Sequence, residues 1–125
     1  RSTSCFINDI INSGIKNNQI TLPFKSDFCW PYVYVNDVVS CIEKCIFHEK
    51  KHFYDYNISG PDFPSYQKIF DEISRYIDNL HVNFSNHNSI SCRKLFSLKK
   101  VKKDIQWEPH YSIERGIKDY IDHLT

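Results

Sequence analysis

Phe96-Ser97-Leu98-Lys99-Lys100-Val101-Lys102-Lys103-Asp104-Ile105-Gln106-Trp107-Glu108-Pro109-His110-Tyr111-Ser112-Ile113-Glu114-Arg115-Gly116-Ile117 is the stretch on which the reading of the fold turns. Its first part predicts a short basic helix, capped by Ser97 and running to about Asp104. At helical spacing Leu98, Val101 and Ile105 face inward while Lys99, Lys100, Lys102 and Lys103 face water. Pro109 breaks the chain, because proline offers no amide hydrogen and disfavours helix in the residue before it. Ser112 then stands as N-cap of a last helix carrying Ile113, Ile117, Tyr120, Ile121 and Leu124.

Outward from that stretch, helices alternate with short strands, with no internal repeat and no low-complexity tract. Ser4 or Thr3 caps a first helix through about Ser13, with Phe6, Ile7, Ile10 and Ile11 on one face and Gly14 as a left-handed stop. Ile20 to Phe24 predicts a short strand. A loop with Pro23, Asp27 and Pro31 leads to Tyr32-Val33-Tyr34-Val35, whose β-branched and aromatic content predicts another. Asp37 is placed as N-cap of a helix from Val38 to about His48. Phe53 to Ile58 reads as a strand ended by Ser59-Gly60-Pro61. Ser65 caps a helix bearing Ile69, Phe70, Ile73, Ile77 and Leu80, Val82 and Phe84 belong to a further strand, and Ser85 to Ser91 is a polar loop. The fold class expected is α/β, a mixed α+β lobe of helices packed on a few short strands.

With 125 residues, 41% hydrophobic and 15% aromatic, the chain suits one small globular domain. Its net charge of +1 and pI near 7.8 supply no field that argues for nucleic acid or membrane. The lysine run has the pattern of a solvated helix face, diluted by Asp104 and Glu108, so no nucleic-acid partner is expected. No apolar run approaches a membrane span and the first residues carry no signal-peptide pattern, so the expected home is cytoplasmic. Five cysteines, Cys5, Cys29, Cys41, Cys45 and Cys92, do not form the framework of a small secreted protein, and reduced thiols are expected. Cys41-x-x-x-Cys45-x-x-His48 has spacing that suits a metal site. The same residues continue a core stripe of Val38, Cys41, Ile42, Cys45 and Ile46, and the core reading is preferred, with no metal expected.

Three segments carry a resemblance to a known family. Tyr32-Val33-Tyr34-Val35-Asn36-Asp37-Val38-Val39 resembles the strand-to-helix Val-Tyr-Val-Asp-Asp-Val segment of nucleotide-sugar epimerases and dehydratases, the extended short-chain dehydrogenase/reductases. Tyr54-Asp55-Tyr56-Asn57-Ile58-Ser59-Gly60 is similar to their Tyr-Asn-Ile-Gly-Gly. Trp107-Glu108-Pro109 with Ser112-Ile113-Glu114-x-Gly116-Ile117 completes the series in order. The resemblance implies a C-terminal nucleotide-sugar-binding lobe over residues 1–125, and an NAD or NADP cofactor for the parent enzyme, bound outside this chain. The family's Rossmann domain uses a glycine-rich loop and a Tyr-x-x-x-Lys pair. The only glycines here are Gly14, Gly60 and Gly116, too far apart for such a loop, and none of eight tyrosines precedes a lysine by four. A lobe without its Rossmann domain is therefore expected, inactive alone, and with no methionine the chain is expected to be a piece of something longer.

The resemblance also implies a base-binding region at Ile20 to Phe24. Phe24 either stacks on the base there or packs in the core of the lobe. Where relatives carry Arg-Asp before the Tyr-Val-Tyr-Val segment, this chain has Trp30-Pro31. Trp30 stacks on a ligand or fills its loop. Upstream of the final Trp-x-Pro, where an Arg-Pro-Gly-Asp stretch is usual, stands His87-Asn88-Ser89-Ile90. His87 and Arg93 are the remaining candidates for a diphosphate, which needs positive partners once desolvated. The candidate substrate-binding residues are thus Phe24, Trp30, His87 and Arg93, for a nucleotide-diphosphate sugar. The rival reading is an interaction or regulatory module that kept the lobe and lost its ligand contacts. An exposed apolar patch at the first helix and Tyr32 to Val35, able to drive self-association, is expected of an isolated lobe.

Overall fold

The computed structural model describes residues 5–49, 55–87 and 95–125. In chain order these residues form α1 (Phe6–Ile15), β1 (Gln19–Leu22), α2 (Val35–Phe47), α3 (Tyr66–Ile73), β2 (His81–Phe84), α4 (Lys99–Ile105) and α5 (Ile113–Leu124). The two strands pair in parallel, Gln19 beside His81 and Leu22 beside Phe84, with α2 and α3 in the crossover that parallel pairing requires. The architecture is the mixed α/β lobe expected from the sequence.

The main core gathers Ile10 and Ile11 of α1, Leu22 of β1, Tyr66, Ile69 and Ile73 of α3, and Ile117 and Ile121 of α5, all buried. Each such aliphatic side chain contributes about 1.5–3 kcal/mol by leaving water. A second core joins Cys41 of α2 to Val101 and Ile105 of α4 and to Trp107. Leu98, Val101 and Ile105 point inward and the four lysines of α4 are exposed, as their spacing predicts.

Ser65 and Ser112 are the caps that the sequence predicts. Ser65 Oγ accepts from Lys68 N–H at 3.1 Å and Ser112 Oγ from Arg115 N–H at 3.2 Å. Asp62 adds a carboxylate oxygen 2.6 Å from Ile113 N, so the start of α5 is satisfied from two directions.

Several elements differ from expectation. Tyr32 to Val35 is no ladder strand. Val35 already begins α2, three residues earlier than predicted, and its N-cap is Tyr34 with no side-chain bond. Asp37 is therefore inside the first turn. Gly14 is helical and not left-handed, the left-handed residue being Asn17 at φ 53°. What requires glycine at 14 is space, since a Cβ would stand 2.5 Å from Leu80 Cδ2 and 2.7 Å from Ile77 Cγ2. α3 stops at Ile73, and Ile77 and Leu80 reach the core from the turns that follow, where Asn79 is left-handed at φ 62°. β1 ends at Leu22, not Phe24, while Leu98, not Ser97, precedes α4 without a side-chain cap. Among the described residues Asp55 to Ile58 pairs with no strand, and the Phe53 end of that expected strand lies outside them, as do Ser4, Thr3 and Cys92.

The three resemblance segments interlock. Asp37 is buried, and its two carboxylate oxygens accept from His110 N–H at 2.8 Å and Tyr111 N–H at 3.0 Å. One turn on, Ser40 Oγ accepts from the Trp107 indole at 2.9 Å. Gly60 N–H donates to the Tyr32 carbonyl at 2.6 Å, and a Cβ on Gly60 would meet that oxygen at 2.7 Å. A Cβ on Gly116 would approach the Tyr34 ring to 3.2 Å, and Tyr34 Oη donates to Asp119 at 2.6 Å. Residues far apart in sequence thus hold α2, the Gly60 corner and the start of α5 as one unit.

Candidate functional site

Beyond the carboxyl ends of β1 and β2 the chain continues into Pro23-Phe24 and Ser85-Asn86-His87 respectively, the position at which open parallel sheets bind ligands. The loop after β1 is fixed rather than slack. Tyr66 N–H donates to the Phe28 carbonyl at 2.9 Å and Gln67 N–H to the Ser26 carbonyl at 2.9 Å, so first-turn amides of α3 are satisfied by this loop.

That loop carries an aromatic shelf. Phe24 and Phe28 have ring centroids 4.4 Å apart, and Phe28 and Trp30 lie nearly parallel at 6.0 Å. Tyr66 closes the cluster from below, 5.0 Å from Phe28 and 5.4 Å from Phe6. Phe28 is buried, Phe24 half-buried, and Trp30 keeps 47% of its surface in water. The indole is backed by rings on one side and open on the other, so it can stack a planar ligand, an interaction that contributes about 1–3 kcal/mol for a nucleobase. Cys29, between Phe28 and Trp30, is pushed up by burial and then by Asp27, which keeps it a protonated, weakly reactive thiol.

The structure brings Phe24 and Trp30 into one cluster. His87 is exposed on the loop leaving β2, where its N–H donates to Ser85 Oγ at 3.2 Å. Arg93 lies outside the described residues.

A second concavity was not predicted from the sequence. It is an apolar cavity of about 370 Å³ between α1, the Tyr32 to Val35 segment, the Gly60 corner and α5. Its polar groups are mostly used by one another: Tyr120 Oη donates to Asn8 at 2.6 Å and Asn36 donates to Tyr111 Oη at 3.2 Å. Arg115 lies over the Tyr111 ring, 4.3 Å from its centroid, and donates to the His110 carbonyl. Burial, then the bond to Asp119, pushes Tyr34 up. Burial also pushes up Tyr32, and Tyr66 to about 12; the hydroxyls of both are buried without a hydrogen-bond partner among the described residues. The signal missed was tyrosine itself, since Tyr32, Tyr34, Tyr111 and Tyr120 all line this cavity and two of them belong to the resemblance segments.

Cys41 sits in the second core, its thiol pushed up to about 11 by burial and then by Cys45, in keeping with the core reading. Among the described residues no three of His, Cys, Asp and Glu converge on a metal position, and no helix is long and apolar enough to cross a membrane.

The fold so built recurs as part of larger solved enzymes. ADP-L-glycero-D-manno-heptose-6-epimerase from Helicobacter pylori superposes with a TM-score of 0.79 at 20% identity, covering 99% of this chain and 38% of that one. UDP-glucuronic acid 4-epimerase from Bacillus cereus, solved with UDP-glucuronic acid and NAD, gives 0.79 at 18% identity over 98% of this chain and 41% of that one. L-threonine dehydrogenase from Phytophthora infestans gives 0.75 at 16% identity over 93% and 39%. The chain thus spans about two fifths of the length of these structures. No family model and no curated protein matches it.

Proposed function

We propose that this chain is the nucleotide-sugar-binding, C-terminal portion of an NAD(P)-dependent nucleotide-sugar epimerase, dehydratase or reductase, and that it does not turn over alone. The observation carrying this reading is the aromatic shelf of Phe24, Phe28 and Trp30 at the carboxyl end of the parallel strand pair, in a lobe whose fold recurs in epimerases solved with nucleotide sugars. In this reading Trp30 stacks on the base, and Phe24 and Phe28 hold the indole in place. His87 and Arg93 are the side chains assigned to the diphosphate.

A dinucleotide does not fit the described residues. Gly14, Gly60 and Gly116 are each pressed against a side chain or carbonyl of the lobe itself, which leaves no glycine to let backbone approach a pyrophosphate. No hydride step is assigned to this chain. Its part is to bind and orient the sugar nucleotide, with the cofactor and the catalytic pair supplied by a Rossmann domain outside these residues.

A second reading, an interaction or regulatory module without ligand, is favoured by Trp30-Pro31 where the resembling enzymes carry Arg-Asp. The likeness to a threonine dehydrogenase, whose name includes no nucleotide sugar, also suits it. Calorimetric titration with UDP-, dTDP-, GDP- and CDP-sugars separates the two. A substrate lobe binds one nucleotide series and loses about tenfold or more in affinity on Trp30→Ala, with the fold intact because the indole is half exposed. Absence of binding at millimolar ligand, for this chain and for a longer chain containing it, rejects the proposal.

A further inference from the structure

An exposed apolar face does not name its occupant, and the outer side of α2, with Val39 47% exposed, Ile42 52% and Ile46 67%, is such a face. A buried hydroxyl without a partner is different, because it lacks one specific thing, an oxygen or nitrogen within about 3 Å. Tyr66 presents one. Its side chain is 1% exposed, and its hydroxyl is out of water's reach and has no partner among the described residues. The ring needs no hydroxyl in order to pack. Three phenylalanines surround it, Phe28 at 5.0 Å, Phe6 at 5.4 Å and Phe24 at 6.4 Å, and a fourth would fill the same volume without burying a polar atom.

We propose that the Tyr66 hydroxyl is the specificity-determining donor of the aromatic shelf, held free for a neutral oxygen of the nucleoside whose base stacks on Trp30, a ribose hydroxyl or a base carbonyl. The inference rests on the nucleotide-sugar reading above and adds to it the group that reads the nucleoside. Its location supports it. Tyr66 touches the shelf directly through Phe28 and Phe24. Tyr66, Cys5 and Cys29 are the groups close enough to add to the burial that pushes the Tyr32 hydroxyl up, so the second hydroxyl without a partner lies beside the first, next to the residue that precedes Trp30. A polar group kept at a cost to stability beside a binding surface is the pattern of a functional position. Its protonation suits the role: burial holds the phenol neutral up to about pH 12, so it offers a neutral donor to a neutral oxygen. The hydroxyl has already left water in the free lobe, so the bond it gains on binding carries no further dehydration on the protein side and is strong for an uncharged pair. The rings that cover it part as the ligand enters.

Tyr66→Phe tests this with two readouts that a structural role would move together. In calorimetric titration with the UDP-, dTDP-, GDP- or CDP-sugar that the parent chain binds, affinity should fall about tenfold or more. In urea unfolding without ligand the midpoint should stay or rise, because no bond is lost and an orphaned polar atom is removed. Tyr76→Phe, at a tyrosine 42% exposed, should leave affinity within twofold. A penalty that vanishes with the 2′-deoxy or 3′-deoxy form of the same nucleotide assigns the oxygen to the ribose, and one that persists with both assigns it to the base. Affinity unchanged within twofold on Tyr66→Phe overturns the inference, as does a lower unfolding midpoint, which would mean that the hydroxyl serves the fold. Binding that depends on Trp30 yet ignores Tyr66→Phe defeats this inference alone. Absence of binding by all four sugar nucleotides, to this chain and to a longer chain containing it, defeats the nucleotide-sugar reading and this inference with it.

Discussion

Removing the Asp37 carboxylate should unlock the lobe. It is 1% exposed and accepts two backbone hydrogen bonds through which α2 grips the His110-Tyr111 corner, at 2.8 and 3.0 Å. Hydrogen bonds to a charged acceptor contribute about 1.5–3 kcal/mol each, so losing both amounts to about 3–6 kcal/mol. Removing a buried charge returns some desolvation free energy, which places Asp37→Ala near a loss of about 3–4 kcal/mol. For a chain of this size that lowers Tm by about 10–15 °C. Asp37→Asn keeps one carbonyl oxygen and should fall between the alanine variant and the parent. The assay is urea unfolding followed by circular dichroism and by tryptophan fluorescence, since Trp107 is bonded to Ser40 one turn along α2. A carboxylate that merely favoured the helix dipole would contribute about 1 kcal/mol or less. If Asp37→Ala costs no more than that, with an unchanged denaturant slope, the clamp argument is refuted.

Gly60→Ala should cost about 2–4 kcal/mol in the same unfolding assay, because its Cβ would lie 2.7 Å from a backbone oxygen that cannot yield without breaking the 2.6 Å bond from Gly60 N–H. Gly14→Ala should cost less, because the atoms it meets are ends of the Leu80 and Ile77 side chains; a reversed order would contradict this reading. In an alkaline titration followed by tyrosinate absorbance, Tyr32, Tyr34 and Tyr66 should stay protonated beyond the pH, about 10, at which a tyrosine of an unfolded chain ionises, since burial raises all three. A folded pKa above the unfolded one means that this stabilisation is complete below about pH 10 and is lost as pH rises towards 12, so the last tyrosines should ionise together with unfolding. Eight tyrosines titrating as one exposed set, with the fold intact, would exclude the buried assignment.

What was legible in the sequence was local. Ser65 and Ser112 announce α3 and α5 because a cap is decided within three residues, and Val101 and Ile105 announce the inner side of α4 by spacing alone. The aromatic shelf was half legible: Phe24 and Trp30 stood out as residue types, while Phe28, which joins them, had no signal of its own. Asp37 was misplaced as a cap because its true partners stand 73 and 74 residues away, and no periodicity reports such a contact. Tyr32 to Val35 has strand composition for a different reason: its rings line a cavity and meet α5. The α2 stripe was taken for one core face because i, i+3, i+4 counting cannot tell which of two apolar sides finds a neighbour.

The Asp37 clamp also sets a schedule for synthesis. A ribosome adds about 5–20 residues per second, so roughly 4–15 seconds separate the emergence of Asp37 from that of Tyr111, 74 positions later. Through that interval α2 carries a carboxylate with no amides to receive it and an apolar outer stripe with nothing upon it, while the main core also waits for Ile117 and Ile121. The nascent lobe is therefore held open until α5 has emerged, and only then can its two halves lock.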